Sequence, residues 1–178
     1  METNPRRMCE LLVGLPNVNV LAVIDEPDSP LVVMIETCGP TPTCGGCGWR
    51  ADLKDRDEVD HVDLASFGRP SRLRWVKRRW RCLHPECGKG SWTEICDEIA
   101  VPDRQVTTCA ARWMTRQVGE HGRTVADVAA DLVCDWHTGN DTVIEWGDAL
   151  LAADVDRFSL VEGLGLDETP FNRTGRWR

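Results

Sequence analysis

Two residues separate Cys44 from Cys47, and four separate Cys82 from Cys87. Paired cysteines at such short spacings are the pattern of a metal site. Zinc takes four thiolate or imidazole ligands in a tetrahedron, with Zn–S near ~2.3 Å. Each pair lies in a loop containing Gly or Pro, residues 38–48 and 82–90. Such loops turn sharply enough to aim two sulfurs at one ion. Two knuckles joined by a hairpin form a zinc ribbon, and residues 57–81 can supply the hairpin. Cys38 and His84 are nearby substitute ligands, and plain buried thiols or a disulfide are the alternative reading. Four cysteine ligands leave no open position for water, so the zinc is expected to be structural. Of the nine cysteines, Cys9, Cys96, Cys109 and Cys134 are isolated and read as ordinary core residues.

Residues 69–81 contain seven Arg or Lys and no acid. Arg69, Arg72, Arg74, Lys77, Arg78, Arg79 and Arg81 alternate with Trp75 and Trp80. This stretch reads as a phosphate-binding surface for double-stranded DNA. The alternative is a solvated face paired with the acids of residues 52–63. Residues 124–150 read as helix, short turn and helix, with Val125 to Val133 first and Thr138 to Leu150 second. In a helix-turn-helix the second helix enters the major groove. That would place His137, Thr138, Asn140 and Asp141 against bases. Residues 124–156 hold eight acids and no Lys or Arg, so phosphate repels them unless Arg112, Arg116 and Arg123 compensate. Plain helical packing or dimerisation is the alternative, and a homodimer stays open.

The elements that must position these residues are short. Residues 18–24 and 31–36 are β-branched runs flanking a turn. Residues 57–67 and 72–81 follow as strands around Gly68–Pro70. Helical spacing covers 104–120, 124–133 and 138–151. Residues 160–166 look like a buried strand. The expected fold class is α+β: a β-rich zinc-ribbon module, then a helical helix-turn-helix module and a strand fragment. The expected units are an N-terminal hairpin (1–37), the ribbon (38–100), the helical region (101–157) and a last piece (158–178).

The 178 residues carry a net charge of −8, which argues against a general nucleic-acid binder. Its distribution matters more. Residues 37–123 sum to +3, against −4 for residues 1–36 and −7 for residues 124–178. No stretch approaches the ~20 apolar residues of a membrane span. No signal peptide is visible, so a cytoplasmic location is expected.

Four segments carry a family resemblance: CGGCG, RRWRCLHPEC, CDWHTGNDTVIEWGDALL and LGLDETPFNRTGRWR. Together they resemble transposases of the ISL-three insertion-sequence family. The resemblance covers essentially the whole chain. It implies a zinc ribbon, a helix-turn-helix and the start of an RNase H-like domain with a DDE carboxylate triad. It also implies that Asp167 is the first catalytic carboxylate. Such triads hold Mg2+ ions ~3.5–4 Å apart; the other two acids of a full-length homologue cannot be assigned here. The chain is therefore expected to be a truncated, catalytically incomplete front end. Its tail after about Asp156 is expected to pack loosely. Gly139 departs from the family, which usually has a larger apolar residue there; a helical glycine costs roughly 1 kcal/mol.

The leading expectation is a DNA-binding part of a transposase that recognises terminal inverted repeats. The alternatives are a stand-alone zinc-containing DNA-binding regulator and a zinc-stabilised protein-interaction module.

Overall fold

The computed structural model describes residues 1–157 and Gly163. Its first helix, α1 (Pro5–Val13), is capped by Asn4, whose side chain accepts from the amides of Arg6 and Arg7. Pro5 suits the first turn, where its missing N–H has no partner to lose. Gly14 ends the helix at φ 68°, a left-handed position that favours glycine. Two strands follow, β1 (Val18–Ile24) and β2 (Leu31–Thr37), paired antiparallel. Next come the long strands β3 (Asp52–Ser66) and β4 (Arg69–Arg81), antiparallel along their length. Phe67 and Gly68 make the two-residue turn between them, both at positive φ. This matches the right-handed twist of a hairpin. The short β5 (Ser91–Thr93) pairs with the end of β4.

The sheet order is β1-β2-β4-β3, with β5 also on β4. β2 runs parallel to β4 from Leu31↔Ser71 to Ile35↔Trp75. Parallel pairing needs a long crossover, and residues 38–68 provide it. β4 thus lies between β3 on one side and β2 then β5 on the other. Its inward residues Leu73 and Trp75 join Val18, Val20, Ile35, Ile99 and Ala100 in the first core.

Three helices follow the strands: α2 (Thr108–Gly119), α3 (Val125–Asp131) and α4 (Trp136–Ala153). Met114, Val128 and Leu132 join Val62, Val106, Ala110 and Ala111 in a second core. The helices are tied to β3 where the Val62 amide donates to Gln105 O and the Thr107 amide to Val62 O. A second tie comes from Arg72 on β4. Its guanidinium donates to the carbonyls of Leu132 (3.1 Å) and Val133 (2.6 Å) at the end of α3.

This corrects the expected architecture. The hairpin of residues 1–37 and the ribbon of 38–100 are not separate modules, because the parallel β2–β4 pairing makes them one mixed sheet. A helix precedes the sheet where none was expected. The expected helix-turn-helix layout is not shown either. α4 begins at Trp136 and buries Gly139 and Thr142 in its first turns. Around Gly139, the position of an added Cβ lies 3.1 Å from Ala129 Cβ and 3.4 Å from Met114 Cε. The part of α4 expected to read bases therefore packs partly on α2 and α3. The expected strand over 160–166, the unit 158–178 and Asp167 lie outside the described residues.

Candidate metal centre

Both cysteine loops emerge from one end of the β3–β4 hairpin. In the first, the Cys44 amide donates to Trp49 O (2.7 Å) and the Gly48 amide to Cys44 O (2.8 Å). Gly48 sits at φ 72°, where other residues are strained. In the second, the Cys87 amide donates to His84 O, and the Cys82 amide to Gly90 O. β5 then returns the chain to β4, so the hairpin sets the distance between the loops.

The four sulfurs come together. Cys44 Sγ lies 3.7 Å from Cys87 Sγ, and Cys47 Sγ lies 3.5 Å from Cys82 Sγ. All four fall within 4.8 Å of one another. A tetrahedron with ~2.3 Å arms has edges of about 3.8 Å, so the cage has the size of a Zn–S4 centre. Gly46 packs against the cage, where an added Cβ would meet Cys87 Sγ at 3.4 Å, an ordinary contact. The four cysteines could hold a metal ion. Cys38 and His84, the alternatives open in the sequence, stand outside this cluster. His84 instead meets Trp49, with ring centroids 5.4 Å apart.

The thiols respond to this crowding. A hydrogen bond from the Gly46 amide holds Cys44 down at about 7. Cys82 is pushed up to about 12. There the His84 amide pulls downward but is outweighed by desolvation and the sulfurs of Cys47, Cys44 and Cys87. Cys87 is also raised: desolvation and the sulfurs of Cys47 and Cys44 outweigh the pull of the Lys89 amide. Four thiolates this close repel one another, and a cation at their centre removes that repulsion.

The basic strand is neutralised from within. Arg74 makes a two-pronged pair with Asp60, at 2.6 and 2.8 Å. Arg79 lies 3.5 Å from both Asp55 and Asp57, and Arg81 lies 2.8 Å from Asp52. Arg69 reaches Asp25 and the carbonyls of Glu26 and Ser29. Arg78 is clamped by Glu94, which takes both its backbone amide (2.7 Å) and its Nε (2.9 Å). Lys77 sits 4.3 Å over the Trp75 ring. Arg72 is the strut to α3 described above. The alternative weighed from sequence, a face paired with the acids of residues 52–63, is therefore what the register of β3 and β4 produces for Arg74, Arg79 and Arg81.

The helical positions are scattered in role. His137 is exposed, while Thr138 and Asn140 are half-buried. The Thr138 amide and hydroxyl donate to Asp135, the cap of α4. The expected compensating arginines are also engaged: Arg112 over Trp146, Arg116 with Glu120, Arg123 with Asp131. Sequence reading missed Glu94, which also accepts from the Thr37 hydroxyl. It missed Trp49, Arg50, Lys54 and Lys89 as well. The Trp-Arg pair directly after Cys47 and Gly48 was the available signal.

No protein-family model, curated protein or solved structure matches the chain. Among the described residues no helix is long and apolar enough to cross a membrane. A cluster with four cysteine ligands has no open position, so its chemistry is to hold loops together.

Proposed function

We propose that this chain is the DNA-binding N-terminal part of an insertion-sequence transposase of the ISL-three type, with zinc in the four-cysteine cage. The observation behind this reading is the cage itself. Its four sulfurs lie close enough to share one metal ion, and its two loops are those of the CGGCG and RRWRCLHPEC segments that carry the resemblance. The chain's partner on this reading is a duplex bearing terminal inverted repeats. Asp167 is then the first carboxylate of a Mg2+-holding set.

A second reading, a zinc-stabilised protein-interaction module, draws on one observation. Arg69, Arg74, Arg78, Arg79 and Arg81 of β4 already have carboxylate partners, so that strand offers few free charges. A titration separates the two. The chain should bind an inverted-repeat duplex more tightly than a scrambled one, and absence of binding to either favours the second reading. Metal analysis of the purified chain should find one zinc per chain, and Cys44→Ser should lose it. A fully retained ion in that variant speaks against the cage.

A further inference from the structure

We propose that the cysteine end of the hairpin, and not the length of β4, grips the nucleic-acid backbone. This rests on the DNA-binding reading above and adds its location.

Among the described residues, three Lys or Arg side chains have no carboxylate, carbonyl or ring partner: Arg50, Lys54 and Lys89. All three are exposed, and all three belong to the same end of the hairpin. Arg50 closes the first loop, bridging to Thr43. Lys54 is the bulge residue of β3, unpaired where the register slips between Leu53 and Asp55. Lys89 lies in the second loop beside the first, its Cβ 3.5 Å from the Cβ position built on Gly46.

β4 carries no acid, so Lys54 finds no carboxylate across the strand pair. The two loops lie beyond the paired region, so Arg50 and Lys89 face no opposing strand. Trp49 adds a second feature. It is 58% exposed beside Arg50, and its ring leans on His84 of the other loop. An exposed indole next to free cations suits the sugars and bases beside a phosphate. Opposing charge here comes from Glu86 and, with a divalent ion bound, from the cage. Asp52 is held by Arg81, while Glu86 is exposed. A divalent ion with four thiolates carries two negative charges, which the cations offset.

Helices α3 and α4 offer no rival surface, since residues 124–156 hold eight acids and no Lys or Arg, and on α2 Arg112 and Arg116 are engaged by Trp146 and Glu120. On β4 a phosphate would have to displace the carboxylates on Arg69, Arg74, Arg78, Arg79 and Arg81, the carbonyls held by Arg72, or the Trp75 ring under Lys77.

The test is binding of the zinc-loaded chain to a mixed-sequence DNA duplex at several salt concentrations. The plot of log affinity against log salt falls by ~0.9 for each phosphate neutralised. R50A/K54A/K89A should therefore flatten the slope by roughly two to three and weaken low-salt binding at least about tenfold. Lys54→Gln lies outside both cysteine loops and should flatten the slope by about one with zinc content unchanged. Arg79→Gln, on β4, should leave the slope as it is. If the triple variant keeps its zinc and its slope, or Arg79→Gln alone flattens it, this location is wrong and DNA binding stands. If the unaltered chain binds no duplex, the DNA-binding reading itself falls.

Discussion

His61 is 3% exposed. Its ring lies between the Trp75 indole, 6.3 Å away, and the strand-to-helix connection. Burial lowers its pKa below the ordinary 6.5, with Lys77 adding to the effect and the Arg104 backbone hydrogen bond, Asp60 and Asp63 opposing it. The folded state therefore prefers the neutral ring. Stability is fully present above about pH 6.5 and is lost as pH falls through the lowered folded pKa. Asp60 acts in the same direction further down. Its hydrogen bond with Arg74 holds it below 3.8, so its contribution disappears at still lower pH. Urea unfolding at pH 8, 6 and 5 should show falling stability, and His61→Leu should remove most of the drop between 7 and 5. An unchanged pH profile in that variant would contradict the assignment. The cysteine ligands were legible at this scale because their spacing is local. The partners of Arg74 and Arg78 were not. Asp60 reaches Arg74 only through strand register, and Glu94 reaches Arg78 only after the second loop folds β5 back.

Strands β1, β2 and β4, like the three later helices, were legible because apolar periodicity is a local property. Helix α1 was missed although Asn4, Pro5 and Gly14 mark its ends. Local pattern also mislabels Gly139. As an isolated helix residue it costs stability, but here α4 crosses so near Ala129 that a side chain has no room. Leu is the better helix former by roughly 0.8 kcal/mol, whereas overpacking costs about 1–3 kcal/mol. Gly139→Leu should therefore destabilise by about 1–2 kcal/mol in denaturant titration, and a more stable variant would refute the close crossing. Val133 presents the reverse case. It ends α3 at φ 51°, a left-handed conformation that disfavours β-branched residues. It is also 52% exposed, so little burial is at stake. Val133→Gly should raise stability by up to about 1 kcal/mol. A loss would mean its side chain packs more than its exposure implies.

The molecule as a whole divides by what holds each part. The first core gathers Ile35, Leu73, Trp75 and Ile99, and the second gathers Met114, Val128 and Leu132. Neither includes a residue of the cysteine loops. The parallel pairing of β2 with β4 and the Arg72 strut couple those two cores. They should unfold as one cooperative unit. The cysteine end has no such core: Cys44, Ala51 and Trp80 are buried there, but too few apolar groups surround them to offset ordering two glycine-containing loops. An ion held in the cage would supply that stability, since folding energy in such sites is binding energy. Chelation should then melt the loops and β5 while the sheet and helices persist. In hydrogen exchange, amides of residues 43–51 and 82–93 should lose protection when the metal is removed. Amides of residues 71–76 and 110–115 should keep theirs, and most far-UV ellipticity should remain. Global unfolding on chelation would show instead that β4 cannot hold its place in the sheet without the cage at its end. The metal would then be the keystone of the whole fold, not of one end.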